Sequence, residues 1–275
     1  MAGILYVLAT PIGNLGDLSP RTAETLRGVS VIAAEDTRET LKLRDHAGSK
    51  ARMISWHAHS APRRIEEIVG LLAGGADVAL ATDAGTPGVS DPGPALVEAV
   101  LAAGFAVVPV PGASAVATAL MASGLPADRY LFLGFAPRKG VDRDEWLARI
   151  QTAEDSVVCF EAPGRLGELL VDLVAGCGPD RVAFVGREMT KRFEEYRRGT
   201  LSELRARFEG AEIRGDVTLV IAGAARTEPV VAEGPARVVA RSLVQSGIER
   251  SRVAKAVADA FGLSRNESYR LAMEE

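Results

Sequence analysis

The chain has 275 residues, 47% of them hydrophobic and 25% charged, and a net charge of −4. Those values match a soluble globular protein of one large or two ordinary domains and exclude disorder, collagen and a disulfide-stapled miniprotein. Two cysteines, Cys159 and Cys177, stand in no C-x-x-C spacing, which argues against a zinc ribbon or a thioredoxin motif and suits a reducing cytosol.

Residues 4–9 read as a buried strand. The run is short and lacks a basic leader segment, so no secretory signal is expected. Ser19 and Pro20 supply a cap and a first-turn proline for a helix reaching residue 28. Strands at 31–34, 52–55 and 77–81 then alternate with helices at 37–46 and 62–73. Between residues 99 and 125 there is no charge, yet Gly104, Pro109, Pro111 and Gly112 cut this stretch into pieces too short to span a bilayer. It reads as the end of a helix over 94–103, a strand over 106–108 and a helix over 114–123. No membrane association is expected. The alternation predicts an α/β domain over 1–123, with a largely parallel sheet covered on both faces.

Residues 124–128 read as a linker, after which the rhythm restarts. Strands are predicted at 130–134, 156–160, 181–186 and 216–222, with helices at 142–152, 164–175 and 200–208. A second α/β domain thus occupies 124–226. A further linker over 225–234 leads to a helical domain over 235–275. Its helices are predicted at 235–246, 251–261 and 264–273. Ser251 is the expected cap of the second, and Ser264 with Glu267 forms a capping box for the third. Three short helices with a Gly-Leu-Ser turn before the last resemble a helix-turn-helix, a pattern that does not separate DNA from RNA.

Net charge argues weakly against nucleic acid, but a local basic face suffices. From Arg187 to Arg207 seven basic residues, among them Lys191, Arg192 and Arg197, meet four glutamates, a local balance of +3. Both an RNA-facing surface and an inert mixed-charge helix face fit this pattern.

No G-x-G-x-x-G follows the first strand and no P-loop motif occurs, against a standard dinucleotide or nucleotide-triphosphate enzyme. Three other loops follow strands and are dense in special residues. They are Ala9-Thr-Pro-Ile-Gly-Asn14, Asp83-Ala-Gly-Thr-Pro-Gly88 with its extension to Gly93, and Pro109-Val-Pro-Gly-Ala-Ser114. Glycines there let backbone approach a ligand, and prolines limit the entropy lost on binding. None of the three carries a lysine or arginine, so they suit a near-neutral, amphoteric ligand such as S-adenosylmethionine better than a triphosphate. Tight turns without a ligand remain the alternative.

The residues also carry a resemblance. Leu5-Tyr-Val-Leu-Ala-Thr-Pro-Ile-Gly-Asn-Leu-Gly-Asp17, Ala34-Glu-Asp-Thr-Arg38, Thr82-Asp-Ala-Gly-Thr-Pro-Gly-Val-Ser-Asp-Pro-Gly93, Val110-Pro-Gly-Ala-Ser-Ala115 and Phe160-Glu-Ala-Pro163 occur in order. Together they resemble the ribosomal small-subunit RNA methyltransferase I family of the tetrapyrrole methylase superfamily, over essentially the whole chain. The resemblance implies two class III methyltransferase α/β domains and a homodimer in the cytoplasm. It implies S-adenosyl-L-methionine as cofactor, held between the two domains. It implies methylation of a cytidine ribose 2′-oxygen in the decoding region of 16S rRNA, within the small ribosomal subunit. Two departures stand out: Gly164 where the family has His, and His57-Ala-His-Ser-Ala61 where it has His-x-x-Asn-Glu. No role is carried over from those missing side chains.

The superfamily pattern, carried onto this sequence, implies a cofactor site of Ile12, Gly85, Thr86, Val89, Ser114, Ala115, Phe160, Ala222 and Gly223. Candidates for the catalytic base are Glu35, Asp36, His57 and Glu161. Asp36 has capping the helix at Thr37 as its alternative, and His57 a packing role. Glu188 and Lys191 are a possible charge pair near the substrate or an inert surface pair. RNA contacts are expected from Arg38, Arg187, Lys191, Arg192, Arg197, Arg250, Arg252 and Lys255. His46, His57 and His59 show no zinc spacing, so no metal is expected. The rival readings are a small-molecule tetrapyrrole methyltransferase and a ligand-sensing DNA-binding regulator. The C-terminal helices favour RNA over the first.

Overall fold

Five short apolar runs build the first sheet: β1 (Ile4–Leu8), β2 (Val31–Ala34), β3 (Arg52–Ser55), β4 (Val78–Ala81) and β5 (Ala106–Val110). Every residue of β2 and β4 is buried, as strands covered on both faces require. The order is β3-β2-β4-β1-β5 and every pairing is parallel. The crossovers are the helices α1 (Pro20–Gly28), α2 (Thr37–Ala47), α3 (Pro62–Ala73) and α4 (Gly93–Ala102). Alternate strand residues feed two cores. Leu5, Ala33 and Leu80 pack with Ile68 and Leu72 of α3 and Leu96 of α4, whereas Leu8, Ile32 and Ala81 pack with Leu26 of α1 and Leu43 of α2. β5 runs two residues beyond the predicted 106–108, through Pro109. It is an edge strand paired only to β1, so the missing proline N–H breaks no ladder bond.

The structure is a computed structural model describing residues 1–57, 62–225 and 233–274. Residues 1–224 form one compact unit, into which both sheets fall, and residues from 225 onward a second. Most of the 225–234 segment read as a linker, and His59 with Ser60 and Ala61, lie outside the described residues.

After α5 (Ala115–Ser123) the second sheet forms from β6 (Tyr130–Phe135), β7 (Ser156–Glu161), β8 (Val182–Arg187), β9 (Glu195–Thr200) and β10 (Val217–Ile221). Its order is β6-β7-β10-β8-β9. Only β6 and β7 pair in parallel; β10 runs antiparallel to both neighbours, and β8 and β9 form an antiparallel pair. The largely parallel sheet expected for the first domain is thus found, whereas the second sheet is mixed, and β8 reverses into β9 with no intervening helix. β9 is absent from the strands expected above. Its sequence, Glu-Tyr-Arg-Arg-Gly-Thr, lies at the sheet edge and carries no apolar alternation. The helices α6 (Val141–Thr152), α7 (Leu166–Cys177) and α8 (Leu201–Phe208) cover one face of this sheet. Its other face meets α5: Phe184, Val158 and Val220 pack with Val116, Ala119 and Ile12. This seam joins the two sheets.

The C-terminal unit holds α9 (Glu233–Gln245), α10 (Arg250–Phe261) and α11 (Arg265–Met273) around Ala240, Val253, Val257 and Leu271. Ser264 and Glu267 make the expected capping box. Ser251 is not a cap: α10 starts one residue earlier, Glu249 holds the cap position, and Ser251 Oγ donates to Glu249 Oε1. No helix among the described residues is long and apolar enough to cross a membrane.

Candidate active site

In an open α/β sheet, ligands bind beyond the carboxyl ends of the strands where adjacent crossovers diverge. Here β1 and β4 are neighbours, and α1 and α4, which follow them, lie on opposite faces. At their carboxyl ends opens a cavity of about 460 Å³, bounded on its far side by β7 and the start of β10. That volume lies in the range of small-molecule sites.

The three Gly/Pro loops form the near wall. Thr10 and Gly85 exchange backbone hydrogen bonds (2.8 and 3.1 Å), tying the loop after β1 to the loop after β4. Gly85 sits at φ +81°, a left-handed conformation that glycine adopts without steric cost. Thr86 Oγ1 donates to the carbonyl of Ala113 (3.0 Å), tying the second loop to the third. The Asp91 carboxylate accepts from the backbone N–H groups of Gly88 and Gly93 and closes the long turn between them. Ser114 caps α5. On the far wall Phe160 meets Phe132 and Phe135 edge-on, with centroids 5.0 and 5.3 Å apart.

Of the residues implied for the cofactor, Ile12, Gly85, Thr86, Val89, Ser114, Ala115 and Phe160 line this cavity. Ala222 and Gly223 do not. Because β10 is antiparallel to β7 and β8, its start reaches the cavity and its end points to the opposite edge of the sheet. There Ala222 N–H donates to Val182, and a Cβ on Gly223 would lie 1.9 Å from the Glu154 carbonyl oxygen, so Gly223 serves a close backbone approach.

Among the candidate bases, Glu35 and Glu161 line the cavity. Asp36 does not: its carboxylate caps α2 through the Arg38 N–H (2.8 Å) and pairs with the Arg38 guanidinium (2.6 Å), whose hydrogen bonds hold its pKa down at about 2. Arg38 is committed to that pair. His57 follows β3 and is not among the residues that line this cavity. Glu161 is buried and pairs with Arg165 at 2.5 Å, while its Oε2 has no hydrogen-bond partner among the described residues. Burial pushes its carboxyl upward, against the Ala162 amide and the Arg165 charge. No group of three metal-ligating side chains is found among the described residues.

Glu35 and Asp83 interlock the ends of β2 and β4. Asp83 N–H donates to Glu35 Oε2 (3.2 Å), and Asp36 N–H donates to Asp83 Oδ1 (2.8 Å). Burial raises the Glu35 pKa, as do the Asp83 and Asp91 charges, against the Asp83 amide. A raised carboxyl binds more protons folded than unfolded, so Glu35 costs stability as pH rises from its ordinary 4.5 through its folded value. Glu35→Gln keeps an acceptor for Asp83 without the charge. The melting-temperature difference, variant minus wild type, is expected to grow in the variant's favour from pH 4.5 to neutrality. A difference independent of pH across melts over this range contradicts the assignment.

The basic stretch is largely self-neutralised. Glu195 accepts from Arg187 (3.0 Å), Arg197 (2.8 Å) and Arg207 (3.3 Å). Arg192 is exposed, its guanidinium 5.4 Å from the ring of Phe193. Lys191 is part of the cavity wall instead of an outer face, bound to Glu188 (2.8 Å) and Asp216 (2.6 Å). Burial opposes its charge, but those two hydrogen bonds raise its pKa on balance. Arg250, Arg252 and Lys255 lie exposed on α10. Sequence reasoning missed Asp83, Asp91 and Asp216 on the cavity wall. For the first two, the strand-end position was the available signal.

Residues 4–205 match the family described as Tetrapyrrole (Corrin/Porphyrin) Methylases. The chain is 43% identical over 273 residues to a Synechocystis sp. protein named Ribosomal RNA small subunit methyltransferase I, covering 99% of this chain and 98% of that one. A Pseudomonas aeruginosa protein of the same name is 38% identical over 99% of this chain and 98% of its own. The chain belongs to the ribosomal RNA small subunit methyltransferase I family of tetrapyrrole methylases. Solved structures share its fold. The methyltransferase CobJ matches with a TM-score of 0.63 at 18% identity, over 82% of this chain and 95% of that one. Uroporphyrin-III C-methyl transferase from Thermus thermophilus, complexed with S-adenyl homocysteine, matches with a TM-score of 0.56 at 17% identity, over 80% and 97%. Both cover the methyltransferase by about the length of its two-sheet unit.

Proposed function

We propose that this methyltransferase uses S-adenosyl-L-methionine to methylate the ribose 2′-oxygen of a cytidine in the decoding region of 16S rRNA. It acts in the cytoplasm, as a homodimer, on the small ribosomal subunit. The observation that carries the reading is the cavity itself, walled by three turns without a basic residue, in a chain whose full-length relatives bear the rRNA methyltransferase name.

The residues present suit the cofactor. Peptide groups of the three turns offer donors and acceptors to an amino-acid zwitterion, Phe160 and Phe135 offer apolar surface to an adenine, and the unpartnered Glu161 Oε2 offers an acceptor to an amine or hydroxyl. The bound cofactor supplies an activated methyl carbon on a good leaving group. The protein's share is alignment of oxygen, carbon and sulfur on a line, which rigid turns achieve before binding. Gly85 and Thr86 hold that geometry through hydrogen bonds between loops, and Asp91 through those that close its own turn.

Mass spectrometry of rRNA nucleosides tests the reading: cells lacking the protein should lose one 2′-O-methylated cytidine from 16S rRNA. In vitro, labelled methyl groups should pass to small subunits and not to uroporphyrinogen III or to duplex DNA. The exposed Arg192, Arg250, Arg252 and Lys255 are assigned to phosphates. Affinity for small subunits should therefore fall steeply between about 50 and 200 mM salt, because each neutralised phosphate releases counterions. Flat affinity across that range, measured by filter binding, removes the phosphate assignment.

A further inference from the structure

Five carboxylates line the cofactor cavity: Glu35, Asp83, Asp91, Glu161 and Asp216. Four of them accept a backbone N–H. Glu35 accepts from the Asp83 amide, Asp83 from the Asp36 amide, Asp91 from Gly88 and Gly93, and Glu161 from Ala162. Asp216 differs. Its side chain is 84% exposed and holds one hydrogen bond, from Lys191 Nζ at 2.6 Å. It also lines a second cavity, of about 410 Å³, together with Lys191, Asp83 and Ile12, which line both cavities. Glu161, whose Oε2 is unpartnered among the described residues, is buried on the β7 wall away from this second cavity. Asp216 and Lys191 thus stand where the cofactor cavity meets a neighbouring space open to an acceptor.

The chain invests unusual backbone in this placement. Glu188 and Thr190, in the turn that leads into Lys191, are both left-handed without being glycine (φ +50° and +67°). Such strain persists only where the surroundings enforce it, and it clusters at functional sites. Glu188 clamps Asp216 from both directions: its N–H donates to the Asp216 carbonyl (2.9 Å), and its Oε1 accepts from the Asp216 N–H (3.1 Å) and from Lys191. Two glycines clear the space. A Cβ on Gly215 would fall 2.1 Å from the Glu188 carboxyl, and one on Gly13 2.3 Å from the Lys191 stem.

We infer that Asp216 is the catalytic residue that takes the proton from the acceptor hydroxyl, and that Lys191 is the positioning residue that aims its carboxylate. This rests on the ribose-methylation reading above. As the hydroxyl oxygen's lone pair forms the new bond to the methyl carbon, the carbon–sulfur pair returns to sulfur, leaving a neutral thioether. The oxygen gains positive character, its proton becomes strongly acidic, and the Asp216 carboxylate accepts it, becoming a carboxylic acid that returns the proton to water. A carboxylate suffices because the proton leaves late, from an oxygen already bonding to carbon.

The test uses the full-length enzyme, S-adenosyl-L-methionine and small subunits lacking the modification. Single-turnover rates are read at saturating concentrations of both. Asp216→Asn keeps the shape and the Lys191 contact but cannot take a proton. Its rate is expected to fall about 100-fold or more, with calorimetric cofactor affinity unchanged. Asp216→Ala should fall similarly and recover in proportion to added formate, a small carboxylate that fits the vacated place. Lys191→Met should be slow, indifferent to formate and restored by Lys191→Arg. Wild-type turnover in Asp216→Asn, or a slow Asp216→Ala that ignores formate, overturns the assignment of the proton acceptor. Wild-type turnover in Lys191→Met overturns the positioning role. A wild-type product not methylated on ribose overturns the reaction reading as well, so the two failures are told apart by the product of the unmodified enzyme.

Discussion

Phe184→Ala is expected to lower the unfolding free energy by about 3–5 kcal/mol and to weaken cofactor binding, although Phe184 does not itself line the cavity. Phe184 is 1% exposed on the inner strand β8 and among the largest fully buried side chains. It belongs to the seam where the second sheet meets α5, in one cluster with Val116, Ala119, Ile12 and Met189, and its ring stacks on Tyr196 at 6.2 Å. The packing around it is close: a Cβ on Gly186 would lie 3.1 Å from the Phe184 ring and 2.6 Å from Met189 sulfur. A truncated side chain leaves a void that these neighbours fill only in part, and the residual cavity adds to the lost burial. Ile12 and Met189 also line the cavity proposed for the cofactor, so slack in the seam becomes slack in its wall. Urea unfolding gives the stability change, and calorimetry on folded protein gives the affinity. A loss under about 1 kcal/mol, small beside the usual cost of large-to-small core changes, contradicts the seam's role.

The same seam explains how much could be read from sequence. β2 and β4 are four-residue apolar runs buried on both faces, and such runs announce parallel strands between helices. The three turns were visible because glycine and proline there serve local conformation, as the left-handed Gly85 shows. β9 was invisible because an edge strand facing water needs no apolar alternation, and its Arg197 is neutralised by Glu195 within the same short strand. Asp216, and the misplacement of Ala222 and Gly223, share one cause. Strand direction decides which end of β10 meets the cavity, and direction depends on pairing with β7 and β8, a long-range fact with no local signature. Lys191 likewise reaches the cavity through the left-handed Glu188 and Thr190, residues for which that conformation is uncommon.

Gly85→Val is expected to cut cofactor affinity about 100-fold, which corresponds to roughly 3 kcal/mol. At φ +81° a β-branched side chain strains the backbone, and the strain cannot relax locally. Gly85 is pinned to Thr10 by hydrogen bonds in both directions, and a Cβ there would already press on Ile12 Cγ2 at 3.3 Å. Moving Gly85 therefore moves the loop after β1, and Ile12 with it, while the two γ-methyls of valine occupy space at the cavity wall. Ser114→Trp fills the same cavity from the third turn and should match the loss without backbone strain. Gly48→Ala supplies the control. Gly48 is also left-handed (φ +70°), at the end of α2, with nothing within 4 Å of where a Cβ would stand and no place in the cavity. It should lower the melting temperature and leave the affinity alone. If calorimetry shows Gly85→Val and Ser114→Trp binding S-adenosyl-L-methionine as the wild type does, the three turns are not the cofactor's cradle.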